Sequence, residues 1–277
     1  MSISDILDGA IKLLRANART MLVIVATFMV PLELLLAFLQ RNVNGGNGIF
    51  STLNDPSGPT AQTDSGSTII LTAVTYLAFW LVVPLVCGGA SRVVMVSYLG
   101  GEMGPKEAIM AALRKAPALI TASLLVHLME LLSALPLFIP VLFVMPLFMM
   151  TAPAISIENL GPIAGIRRSI RLARRRYWPT VGIALLAGLL AYFLGQVLGL
   201  LPNLIALFIG LRWGWVLIAA SGVLVALVTV PLITIIATMV YLDSRIRQEG
   251  FDLQITADGR QIAADGRQIT ADGRDRR

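Results

Sequence analysis

Charge and reactive side chains are scarce in this sequence. Of its 277 residues 14% are Asp, Glu, Lys or Arg and 56% are hydrophobic, where an ordinary soluble domain carries ~25% charged residues. So little charge cannot cover a water-facing surface, and the chain reads as a polytopic membrane protein. The one cysteine, Cys87, stands inside an apolar run, which excludes an internal disulfide and a cysteine-based zinc site. The one histidine, His127, also falls in an apolar run. No GxxxxGKS/T phosphate loop, GxSxG nucleophile elbow or HExxH zinc helix is written; no catalytic residue, metal site or cofactor is therefore expected. A cleavable leader is not expected either: Asp5 and Asp8 precede the first basic residues, and no A-x-A-like site follows the first apolar run.

What the chain does have is long apolar runs, of the ~20 residues needed to cross a ~30 Å hydrocarbon core. Spans are expected at about 20–40, 68–99, 117–135, 140–157, 179–200 and 216–242. Residues 41–67, rich in Gly, Asn, Ser and Thr, read as a flexible external loop. Residues 136–140 leave room for a tight turn. The apolar stretch in 201–213 is too short to cross alone and is expected to be re-entrant or interfacial, with Trp213 and Trp215 as anchors. Small residues from Cys87 to Ser91 predict a close helix contact. The Ala184, Gly188, Ala191, Gly195, Gly199 stripe reads as packing rather than a pore.

Amphipathic segments precede three of these runs. Residues 2–19 carry Ile3, Leu7, Ala10, Leu14 and Ala18 on one side, and 104–116 repeat the pattern more briefly. The most basic is 162–178, where Arg167, Arg168, Arg171, Arg174, Arg175 and Arg176 accompany Ile163, Ile166, Ile170, Ala173 and Tyr177 at helical spacing. The fold class expected is all-α, with six transmembrane helices in three hairpin units, each preceded by an amphipathic interfacial helix. The units are roughly 2–101, 102–158 and 159–250, and VPL, MPL and VPL recur at Val83, Met145 and Val230. The other reading is that membrane helices resemble one another by composition. With six spans, 20 of the 22 Lys and Arg fall on one side, leaving only Arg41 and Arg212. The positive-inside rule then puts both termini in the cytoplasm, with the protein in the cytoplasmic membrane.

Net charge is +6, parcelled among the segments between the apolar runs. Anionic lipid is the partner this suggests, rather than nucleic acid, and the arginine helix is the surface. Glu158 with that helix, and Asp243 with Arg245 and Arg247, read either as local ion pairs or as part of a surface for a membrane or cytoplasmic protein partner.

Ionisable residues also occur within the spans. Ser123, His127 and Glu130 share a face of the third span, and Glu33 lies in the first. Glu33 and Glu130 each follow the start of their span by thirteen residues, a depth of about 20 Å. Two readings stand: a proton, cation or lipid-headgroup site between the first and third spans, or carboxylates near the outer interface that orient helices. The tail 251–277 holds the heptapeptides QITADGR, QIAADGR and QITADGR. One large apolar residue in seven is too few for a coiled-coil seam, and disorder is expected.

Glu158, Gly161, Pro162, Arg168, Ser169, Leu172, Arg175, Trp178 and Gly182, with YLDSRIRQEGFDL at 241–253 and Leu7, Asp8, Ala10 and Leu14 near the start, carry a resemblance. The chain resembles an actinobacterial group of integral membrane proteins labelled as the membrane domain of glycerophosphoryl diester phosphodiesterase, over nearly all of residues 4–253. The label implies an enzyme by association with longer proteins. Such hydrolysis needs a metal-binding carboxylate cluster and acid–base histidines on a catalytic barrel, and this chain has one histidine and no soluble stretch of that length. The function expected is a non-enzymatic scaffold or accessory subunit that binds anionic lipid and a partner protein. The alternative is a transporter of a small solute, ion or lipid that uses the intramembrane carboxylates.

Overall fold

The computed structural model describes residues 3–44, 65–134, 139–209 and 211–250, and the regular elements among them are helices. Most of the expected external loop 41–67, most of the turn at 136–140 and the heptapeptide tail 251–277 lie outside the described residues. In chain order the elements are α1 (Ile3–Ala16), α2 (Ala18–Asn44), α3 (Ser65–Tyr98), α4 (Pro105–Arg114) and α5 (Ala116–Ala134). They continue with α6 (Ile139–Phe148), α7 (Thr151–Ile157), α8 (Pro162–Arg175), α9 (Tyr177–Ile209) and α10 (Leu211–Glu249).

Five helices are long and apolar enough to cross a membrane, over Ala18–Gln40, Ile69–Tyr98, Ala116–Ser133, Tyr177–Ala206 and Gly214–Glu249. This is the build of a multi-pass membrane protein. Their outward faces agree: Leu35 on α2, Leu131 and Leu132 on α5, and Val197 and Leu201 on α9 are all exposed. In water such a surface would drive association, whereas lipid tails match it.

Three times a short amphipathic helix is followed, after one residue, by a long apolar one: α1 and α2 at Asn17, α4 and α5 at Lys115, α8 and α9 at Arg176. Gly104 and Gly161 hold extended backbone ahead of Pro105 and Pro162, whose fixed φ and missing N–H suit a first helical turn. At the first break the Asn17 amide donates to the Leu13 carbonyl (3.1 Å) and to Ser97 Oγ (3.0 Å), tying the end of α1 to the end of α3.

The main core forms around α10. Its buried Ile235, Ile236 and Tyr241 pack with Met21, Ile24 and Met29 of α2 and with Val86, Ala90 and Val93 of α3. Thr234 and Thr238 bond to carbonyls one turn back on α10 and also reach Cys87 Sγ (3.2 Å) and Ser91 Oγ (3.1 Å) of α3. The small-residue cluster from Cys87 to Ser91 is thus a helix contact on two sides. A Cβ on Gly88 would meet Leu119 of α5, and one on Gly89 would come 3.1 Å from the Ala108 carbonyl of α4. A second, smaller core joins Leu85, Leu119, Ala122, Val126, Phe148, Ile155 and Ile166, from α3, α5, α6, α7 and α8.

Two expectations are corrected. The fourth span, expected as one helix over 140–157, is two, interrupted at Met149 and Met150. Pro153 has no N–H to give the Met149 carbonyl four residues back, so the helix restarts there. At ~1.5 Å per residue neither α6 nor α7 crosses alone. The stretch 201–213, expected as a separate re-entrant or interfacial segment, is instead divided between two long helices: α9 runs through Pro202 to Ile209, and α10 begins at Leu211. An apolar helix keeps its backbone bonds internal, so losing one donor at Pro202 does not end it. A Cβ on Gly214 would lie 3.2 Å from the Ala206 carbonyl, so the two helices close against each other there.

Candidate functional site

Glu33 and Glu130 do not share a site. α2 packs against α10 and α3, and α5 packs against the other flank of α3, so α3 stands between the two carboxylates. Glu33 is half-buried against α10, where a Cβ on Gly222 would run into its carboxylate. On α5, His127 Nδ1 lies 2.8 Å from Glu130 Oε2, and the imidazole stacks on the Trp80 indole of α3 at 4.7 Å and 18°. Ser123 and His127 both line a cavity between α3, α5 and the α6–α7 interruption. Of the two readings of these carboxylates, one shared site or separate groups that orient helices, the contacts fit the second: Glu33 meets α10 and Glu130 meets His127.

The end of the bundle that carries the short basic helices holds a connected ionic junction. Arg168, on the inner side of α8, forks to Glu158 at the end of α7 (Nη2 to Oε1, 2.8 Å) and to Glu249 near the end of α10. Tyr241 donates its hydroxyl to Glu158, and Arg245 Nε lies 3.5 Å from the same carboxylate. The Glu249 hydrogen bond, with Glu158 beside it, pushes the Arg168 guanidinium further above its usual range. One turn along, Asp243 receives Arg176 from the α8–α9 break and Arg247 at 3.0 Å. The neighbouring Asn159 adopts a positive φ of 56°. Its side chain accepts from Arg92 Nη2 (2.6 Å) and its carbonyl from Lys115 (3.0 Å). Residues from α3, the α4–α5 break, α7, α8 and α10 therefore meet at Glu158 and Asn159.

This junction divides the six arginines expected to form one basic face. Arg168 and Arg176 turn inward and are half-buried; Arg167, Arg171, Arg174 and Arg175 remain exposed. The inward side of α8 is completed by buried Leu172 and Ala173 and by Ser169, whose hydroxyl donates to the Leu147 carbonyl at 2.7 Å. The ion pairs anticipated between Glu158 and the arginine helix and between Asp243 and Arg247 are present, while Arg245 is placed at Glu158 and Glu249. Sequence reasoning missed Glu249 and Tyr241, although Arg245 and Glu249 stand four apart on one helix, the spacing of a side-chain pair. It also missed Asn159, Arg92 and Lys115, and for those long-range partners no local pattern exists.

The two segments that carry the family resemblance, 158–182 and 241–253, meet at this junction through Glu158, Arg168 and Tyr241. Arg175 and Trp178 of the same segment are exposed. Among the described residues no group of three or more His, Cys, Asp or Glu is placed to hold a metal ion. Comparison with protein-family models, curated proteins and solved structures finds no match for this chain.

Proposed function

We propose that the protein is a non-catalytic multi-pass scaffold or accessory subunit of the cytoplasmic membrane, with both termini on the cytoplasmic side, that binds anionic lipid and a partner protein at its arginine helix. The observation that carries this reading is the division of the arginines. Arg168 and Arg176 are consumed in fixing α8 to α7 and α10, while Arg167, Arg171, Arg174 and Arg175 point away. Four exposed guanidinium groups on a rigidly docked helix suit phosphate and carboxylate groups, which an arginine fork engages in pairs. The exposed Lys12, Arg15 and Arg19 and the exposed Lys106 and Arg114 add positive charge beside the α1–α2 and α4–α5 breaks. Attraction of ~1 kcal/mol per basic side chain near an anionic surface accumulates over such a set.

In this reading α6 and α7 together make a sixth, broken crossing, and the three pairs of short and long helices are three repeats of one hairpin unit, which keeps every basic helix on the same side. The transporter reading loses its main support, since Glu33 and Glu130 stand apart.

The test is charge reversal of Arg167, Arg171, Arg174 and Arg175 to Glu, read by crosslinking in native membranes followed by gentle purification and mass spectrometry. Loss of co-purifying anionic phospholipid and of a stoichiometric partner, with the helical content kept, is the expected result. Unchanged lipid and partner content in a folded variant would overturn the proposal.

A further inference from the structure

The cavity between α3, α5 and the α6–α7 interruption is lined by none of the charged residues of the basic junction and has a volume of about 160 Å³. An apolar cavity of ~150 Å³ accepts a benzene ring. Its walls are mostly hydrocarbon, from Val83, Val126, Phe148 and Ile155 among others, and among the described residues no Lys, Arg, Asp or Glu lines it.

Three hydrogen-bonding side chains interrupt that wall: Ser123, His127 and Thr151. Thr151 is the informative one. It is only 7% exposed, and its hydroxyl has no hydrogen-bond partner. A helical threonine usually bonds to the carbonyl four residues back; that carbonyl, of Leu147, accepts instead from Ser169 of the arginine helix. The other unpartnered buried hydroxyl, Ser156, is pressed against Gly88, where even a Cβ would sit 2.9 Å away, so no room exists there for a ligand. Thr151, by contrast, lines the cavity. His127 is held by Glu130 at Nδ1 and by Trp80 on its ring face, and in the neutral ring a proton on Nδ1 leaves Nε2 as an acceptor. Met149, at the helix interruption, closes another side. Discontinuous helices at membrane depth are a recurrent way of building a ligand site.

We infer that this cavity binds a small neutral amphiphile: an apolar body about the size of one aromatic ring, bearing one hydroxyl that pairs with Thr151. The apolar wall excludes an ion, and the orphaned hydroxyl selects a hydrogen-bonding ligand over a hydrocarbon. Ser123 and His127 supply the remaining acceptor and donor positions.

The experiment uses the full-length protein in phospholipid nanodiscs with 4-fluorophenol as probe and fluorobenzene as its control without a hydroxyl, read by fluorine NMR titration. The expected result is saturable binding of 4-fluorophenol at least about tenfold tighter than fluorobenzene, the size of one good hydrogen bond. Thr151→Val keeps the shape and removes the hydroxyl, and should remove that preference while leaving fluorobenzene unchanged. Should that variant fail to fold, Ser123→Leu, which fills the half-buried side of the cavity, should abolish binding of both probes. Non-saturable partitioning, equal affinity of the parent protein for the two probes, a preference for 4-fluorophenol that survives in folded Thr151→Val, or binding of either probe that survives in folded Ser123→Leu overturns the inference. So does a phospholipid that Ser123→Leu releases in native mass spectrometry, which would make an acyl chain the occupant.

Discussion

At the basic end Glu158 is met by Arg168, Tyr241 and Arg245, from two different helices. Part-way along α2, Glu33 faces the backbone of Gly222 with no side-chain partner among the described residues. His127 and Glu130 satisfy each other three residues apart on one helix, and the threonines of α10 turn first to their own backbone carbonyls. Polar groups at the end of the bundle therefore link helices that are far apart in sequence, whereas those along the apolar helices are mostly settled locally. The difference follows from solvation. Near the end of the bundle water lowers the cost of gathering ions until each finds several partners. Within an apolar stretch an ion brought to a neighbouring helix must be paired with good geometry or not brought at all.

Substitutions in both regions test that contrast. The largest effect is expected from Arg168→Ala, which removes the forked cation between Glu158 and Glu249 and leaves them only the longer contacts to Arg245, at 3.5 and 3.4 Å. Removing one member of such a half-buried cluster costs about 3–5 kcal/mol, read as lowered unfolding free energy in detergent. Arg168→Lys should recover only part of this, because an ammonium cannot fork to two carboxylates. An Ala variant as stable as the parent would dissolve the contrast.

Next is Gly222→Ala, whose Cβ meets the Glu33 carboxylate at the far end of a flexible side chain, so the cost should be about 1 kcal/mol, the low end for overpacking, as the carboxylate swings aside. Adding Glu33→Ala should restore most of the loss; strictly additive effects would show that Glu33 does not press on α10. Glu130→Ala should cost only about 1 kcal/mol, the worth of one local hydrogen bond, and a much larger loss of thermal stability would mean that the span polar groups also organise the bundle. Smallest in stability are Arg171→Ala and Arg174→Ala, expected within about 0.5 kcal/mol of the parent. Each should nonetheless reduce the phosphatidylglycerol retained per protein, and added salt should shrink that difference.

The α1, α4 and α8 helices were legible because their apolar residues recur at helical spacing and Pro105 and Pro162 mark two of their starts. The interruption at Met149 was not, although Pro153 stood in the sequence, because Pro31, Pro84, Pro202 and Pro231 lie inside uninterrupted helices. Whether a proline breaks a helix depends on the packing around it. The candidate polar residues of the spans were legible as rare ionisable groups in apolar runs, but their pairing was not. Equal depth along two helices says nothing about a third helix standing between them.

Composition and periodicity alone determined that this chain is helical, apolar along its long helices and basic in the short ones, because backbone bonding and the scarcity of charge depend only on local sequence. Tertiary structure decided which arginines are spent on Glu158, Glu249 and Asp243 and which stay exposed. It also placed Glu33 against Gly222 and left the Thr151 hydroxyl without its usual carbonyl, because hydrogen bonds and close contacts between distant residues exist only once the helices have packed.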